Sequence, residues 1–185
     1  MSTRDLACVA LSLVIAGCAG TAAVVKTGVE TPNLGQAVTA AEIAGWDISI
    51  APDGAGLPAG RGTSAQGATV YEAKCQSCHG AKGAGQPNDR LVGGQGTLAS
   101  KAPVRTVGSY WPYATTVFDY VRRAMPYAQS QSLTNDEVYA LTAYLLHLNG
   151  IIADTDEMNA QTLPKVKMPN RDNFIVVYPA KPGAR

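Results

Sequence analysis

The sequence predicts an all-α domain in which two helices, one opening near residue 64 and the other near residue 133, frame a stretch too poor in apolar side chains to form its own core. Three observations carry this reading. Helix-capping residues and apolar periodicity stand at both places. The glycine-rich stretch from Gly80 to Gly96 lies between them. The composition, with 19 Gly, 11 Pro and only 6% aromatics, favours turns over long regular elements.

The 185 residues suffice for one domain of about 100–150 residues with flanking segments. A 46% hydrophobic content supports a core. The net charge of +1 removes the attraction on which most nucleic-acid binding relies, so that class is disfavoured. In chain order, residues 1–22 read as an export signal. A short polar start (Met1 to Asp5) precedes an apolar run from Leu6 to Ala16 that is too short to span a bilayer, and small residues follow. Ile15-Ala16-Gly17-Cys18 resembles a lipobox, with Cys18 as the lipidated mature N-terminus; ordinary cleavage within Ala19 to Ala23 is the competing reading. Both place the protein outside the cytoplasm, in the periplasm, with membrane contact only through a lipid on Cys18.

Residues 23–63 form an N-terminal extension. Thr39-Ala40-Ala41-Glu42 is a capping-box pattern opening a short helix, whose Ile43 and Trp46 are expected to face the following domain. Pro52-Asp53-Gly54 makes a turn. The domain itself covers residues 64–150. Ser64 is the expected N-cap of a helix from Ala65 to about Lys74, with Gly67, Val70, Tyr71 and the Lys74 stem on one side.

That helix runs into Cys75-Gln76-Ser77-Cys78-His79, the attachment pattern of a c-type haem. With two residues between them, the thiols reach both vinyl groups on one porphyrin edge, and the adjacent imidazole points at the iron. A redox CxxC would need no following His. A zinc site would need a fourth ligand, for which Met is poor and only His147 is available. Cys8 and Cys18 belong to the leader. The last helix of the domain, Leu133 to Asn149, carries Thr134 as its cap, Asp136 and Glu137 in its first turn and Gly150 at its end. Its apolar stripe is Val138, Leu141, Leu145 and Leu148, with Tyr144 beside it. The haem supplies the core that the glycine-rich stretch lacks. Residues 151–185 are a polar, proline-punctuated tail in which Phe174 to Tyr178 form a short extended run, either lying along the core or mobile.

These residues together resemble the class I cytochromes c. In that family a Gly and an aromatic lie eight and four residues before the first haem cysteine, matched by Gly67 and Tyr71, where the first helix crosses the last; Leu141 and Tyr144 match the other side of the crossing. The resemblance implies a class I cytochrome c fold around one haem c, bound covalently through Cys75 and Cys78, with His79 as one iron ligand. It also implies a Met ligand ahead of the last helix, where Met125 precedes Pro126. Met158, Met168, His147 and an open site are the alternatives; the two later methionines follow the last helix, and His147 falls nearly opposite Leu145. A thioether ligand stabilises ferrous iron and suits electron transfer.

Pro87 resembles the family's loop proline whose carbonyl accepts the second N–H of the proximal imidazole. Trp111 and Tyr113 are candidates for the haem edge, and Arg122 and Arg123 for propionate neutralisation or docking. Lys74, Gln76, Ser77 and Lys82 would ring the thioether edge, with Tyr127 and Ala128 nearby. The runs Thr106 to Thr116, Phe118 to Pro126 and Leu163 to Asp172, together with Ala41 to Pro58, are similar to the cytochrome subunits of bacterial sulfur-oxidising enzymes. That resemblance implies an electron carrier partnered by a molybdenum-containing sulfite or sulfane dehydrogenase and a downstream cytochrome or oxidase. Some sulfane dehydrogenase cytochromes have two haem segments, whereas this chain has one CxxCH. The alternative function, a haem enzyme acting on a sulfur compound or peroxide, needs an exchangeable or Cys-ligated iron.

Overall fold

A computed structural model of the chain describes residues 34–175, 177 and 178. The export signal and Cys18 lie outside these residues. The chain divides into two units, Met1–Val38 and Thr39–Arg185.

Helix α1, Ala40–Trp46, opens on the expected capping box. Thr39 Oγ1 accepts from the Glu42 N–H at 3.2 Å, and Glu42 Oε2 accepts from the Thr39 N–H at 2.7 Å. Its apolar side chains do not pack on the domain: Trp46 is 88% exposed and no residue of the helix is buried. This corrects the expected packing of Ile43 and Trp46. Spacing decides which side chains share a face, not whether another element meets that face.

Strand β1, Arg61–Thr63, leads directly into helix α2, Ser64–Lys74. The N-cap is Thr63 rather than Ser64, because a capping box needs a Glu or Gln three residues on. Gln66 stands there for Thr63, and accepts from the Thr63 N–H at 2.9 Å; Ser64 has Gly67. A one-turn helix α3, Gln76–His79, follows. Helix α4, Ala114–Ala124, was not singled out by the capping signals, since Tyr113 at its N-cap makes no side-chain cap. Its buried Ala114, Val117, Phe118 and Val121 nevertheless keep the helical period. Helix α5, Asn135–Leu148, has the expected Thr134 cap, which Glu137 completes as a capping box, and Gly150 follows at φ +68°.

Helices α2 and α5 cross at Gly67. A Cβ there would lie 2.0 Å from the Ala140 carbonyl oxygen, so only glycine allows this approach. Tyr71 and Tyr144 fill the crossing with ring centroids 5.4 Å apart. Helix α5 is met by α2, α4 and β1, and its buried surface is therefore wider than the predicted stripe. Tyr139 and Leu146 are fully buried, whereas Leu148 is only half-buried.

The tail closes the fold. Strand β2, Glu157–Asn159, pairs antiparallel with β1, placing Gly62 opposite Met158. Leu163 and Met168 are completely buried, and Asn170 Nδ2 donates to the Tyr110 carbonyl at 2.8 Å. The part beyond is different: Phe174 touches Tyr110 edge-on, but Ile175, Val177 and Tyr178 are 89%, 72% and 90% exposed, so this run does not lie along the core. Among the described residues, no helix is long and apolar enough to cross a membrane.

Candidate functional site

Helix α2 ends at Cys75, its C-cap, and the single turn of α3 presents Cys78 and His79. The chain then doubles back. Gly85 N–H donates to the His79 carbonyl and Asn88 N–H to the Cys78 carbonyl, both at 2.8 Å. The buried Tyr71 hydroxyl donates to the Gly80 carbonyl at 2.9 Å, tying α2 across the motif. Gly80 sits at φ +74°, and a Cβ there would lie 2.3 Å from the Gly85 oxygen.

His79 Nδ1 lies 2.9 Å from the Asp89 carbonyl oxygen. A carbonyl only accepts, so Nδ1 carries the proton and the Nε2 lone pair is left for a metal. The orienting carbonyl is thus that of Asp89, not Pro87. The hydrogen bonds from Gly85 and Asn88 fold the loop back on the motif, which brings residue 89 rather than 87 opposite the ring.

Cys75, Cys78 and His79 line a cavity of about 550 Å³, within the range of about 300–1,000 Å³ usual for cofactor sites. Leu91, Val107 and Trp111 come from the long loop, Val117, Val121 and Met125 from α4 and its end, and Leu141 and Leu145 from α5. Met125 caps α4, with its N–H on the Val121 carbonyl at 3.1 Å. All four predicted site residues therefore reach one space from two distant parts of the chain.

This donor set fits a haem. The walls are mainly apolar with a polar rim, Cys75 is half-buried while Cys78 is exposed, and an oriented imidazole and a thioether share the cavity. Burial pushes the Cys75 thiol up to about 11 and the Tyr71 hydroxyl up to about 12. Among the described residues, no cluster of three His, Cys, Asp or Glu side chains could hold a metal ion.

Met158 and Met168 are 4% and 0% exposed in the core, where they fill space between elements. His147 is half-buried at the end of α5 and does not line the cavity. Trp111 reaches the cavity and stacks edge-on with Tyr120 at 5.7 Å. Tyr113 instead lies under the Arg171 guanidinium at 4.2 Å. Arg122 and Arg123 are also directed elsewhere, Arg122 Nη1 donating to the Ile48 carbonyl at 3.3 Å and Arg123 pairing with Asp119. Lys74, Ser77, Tyr127 and Ala128 line the cavity; Gln76 and Lys82 do not.

Two further exposed cations line the cavity, Arg90 and Arg105, which sequence reasoning missed because their loop has no periodicity to place them. Asn149 was missed as well. Its Oδ1 accepts from the Gly93 N–H at 3.0 Å and its Nδ2 donates to the Leu91 carbonyl at 3.3 Å, fastening the loop to the end of α5.

A family model described as cytochrome c matches residues 64–149. Among solved structures, a chain from the crystal structure of the sulfane dehydrogenase SoxCD from Paracoccus pantotrophus is 41% identical, with a TM-score of 0.74. That match covers 77% of this chain and 71% of the other. None of the curated proteins compared matches the sequence. With the CxxCH turn, the cavity it lines and the Gly67 crossing, the chain belongs to the cytochrome c family, whose haem c is bound covalently.

Proposed function

We propose that this chain is a mono-haem electron carrier that takes single electrons from a periplasmic sulfur-compound dehydrogenase, of the molybdenum-containing sulfite or sulfane type, and passes them to a downstream cytochrome or oxidase. Cys75 and Cys78 would anchor the haem through thioethers, and His79 and Met125 would hold its iron. The observation that carries this reading is the convergence of His79 and Met125 on a single cavity, since two protein ligands leave no position for a substrate. When bound, the haem supplies a one-electron ferric/ferrous couple. The Asp89 carbonyl holds the His79 ring, while Leu91, Val107, Val121, Leu141 and Leu145 would pack apolar side chains against the haem. Exposed Cys78 and Tyr127 mark the edge through which electrons would pass. The similarity to a protein named as a sulfane dehydrogenase supports a sulfur-compound dehydrogenase as donor. Export to the periplasm, with Cys18 either lipidated or removed with the leader, completes the proposal.

The test is to mix the oxidised holoprotein with a sulfite dehydrogenase plus sulfite, and separately with a sulfane dehydrogenase system. Rapid reduction of the haem by either pair is expected, with none by the sulfur compound alone. Turnover of sulfite or thiosulfate by the purified cytochrome, given an artificial acceptor and no partner enzyme, would overturn the carrier reading in favour of a haem enzyme.

A further inference from the structure

We propose that the segment Ile48–Pro52 is a strap that holds α4 from behind and keeps Met125 on the iron, with Asp119 as the positioning residue at its centre; this rests on Met125 being an axial ligand. Three hydrogen bonds join the strap to the helix. Ile50 N–H donates to Asp119 Oδ1 at 3.0 Å, Thr115 Oγ1 donates to the Pro52 carbonyl at 3.1 Å, and Arg122 Nη1 donates to the Ile48 carbonyl at 3.3 Å. Each spans more than 60 residues of sequence, so none belongs to the helix's own local structure.

Thr115, Asp119 and Arg122 are spaced i, i+4, i+7 and share one face. Val117, Tyr120 and Val121, which line the cavity, fall on the opposite face at about 100° per residue. The strap therefore backs the helix on the side away from the haem. Asp119 is 7% exposed and its two oxygens are divided, Oδ1 serving the strap and Oδ2 the Arg123 guanidinium. Ile50, which brings the strap's central N–H, is itself 8% exposed in the core. One peptide bond separates the last residue of α4 from Met125. A shift of α4 is thus passed directly to the thioether, while His79 is held independently by the Asp89 carbonyl.

The experiment compares ferric holoprotein variants at fixed pH by the near-infrared thioether-to-iron band and by affinity for added imidazole. Met125→Ala should lose the band and bind imidazole. Asp119→Ala removes a hydrogen bond to a buried charged acceptor, and should raise imidazole affinity on the order of tenfold with partial loss of the band. Thr115→Val, which keeps shape and loses only the hydroxyl, should shift both readouts less and in the same direction. Lys167→Ala, which removes an exposed side chain that lines no part of the cavity and makes none of the three strap bonds, should shift neither.

If Asp119→Ala and Thr115→Val are less stable to denaturant but keep wild-type band and imidazole affinity, the strap is merely structural and the proposal fails. Should Asp119→Ala not fold, the double variant Thr115→Val with Arg122→Ala decides by the same two readouts. A band that survives in Met125→Ala overturns the ligand assignment instead, and the strap's role with it.

Discussion

Replacing Gly67 with alanine tests the helix crossing that presents the CxxCH turn to the cavity. The new Cβ would lie 2.0 Å from the Ala140 carbonyl oxygen, 2.5 Å from its carbon and 2.7 Å from the Tyr144 Cβ. Ordinary contact begins at roughly 3.5 Å, so α2 and α5 must part by on the order of 1 Å. Overpacking of this kind costs about 1–3 kcal/mol. The upper end applies, because the obstacle is helix backbone that no rotamer change can move aside. Alanine returns about 1 kcal/mol of helix propensity relative to glycine, leaving a net loss of about 2 kcal/mol. The assay is denaturant unfolding of the holoprotein followed by circular dichroism. Gly45→Ala serves as the reference, since Gly45 lies in a helix with no buried residue and has nothing within 4 Å of its Cβ position. That variant should be as stable as wild type, or more stable by up to about 1 kcal/mol from helix propensity. Equal stability of Gly67→Ala and Gly45→Ala would refute the close crossing.

Three further outcomes are expected. Cys75→Ala or Cys78→Ala should lower covalent haem content, seen as a weaker haem-stained band on denaturing gels after acid-acetone extraction; undiminished staining would show that the cysteines are not the anchors. Met158→Ala and Met168→Ala should keep the thioether band yet lose about 2–5 kcal/mol of stability, as buried core side chains do. Loss of the band in either would mean that the ligand had been placed in the wrong loop. Glu137→Gln keeps the capping box and removes only the charge that meets Lys74 Nζ at 2.6 Å. The Lys74 hydrogen bond, and then that from the Thr134 N–H, hold the Glu137 carboxyl below its ordinary value of 4.5. A lowered folded-state pKa contributes stability that is present above 4.5 and lost as pH falls through the lower folded value. The variant should be less stable than wild type by about 0.5 kcal/mol at neutral pH after screening, and the gap should close in that acid window in pH-dependent melts.

What the sequence alone determined here is local in chemistry. The CxxCH spacing places two thiols and an imidazole on one turn, and the capping boxes at Thr39 and Thr134 form between residues three apart, with no need of the rest of the fold. The Thr63 box was legible by the same rule, since Gln66 stands where the pattern requires it. Gly67, Tyr71 and Met125 were legible because a family pattern places them relative to the haem cysteines. The tertiary structure decided what depends on partners far apart in the chain. Which carbonyl holds His79 follows from how the loop folds back, and the fates of Arg122 and Arg123 follow from which groups lie within reach. Asn149 became a hub because Leu91 and Gly93 arrive beside it, more than 50 residues distant in sequence. Trp46 remained exposed for the converse reason. Its helix could form from its own caps, but burial needs a surface from elsewhere in the chain, and neither propensity nor periodicity records whether one arrives.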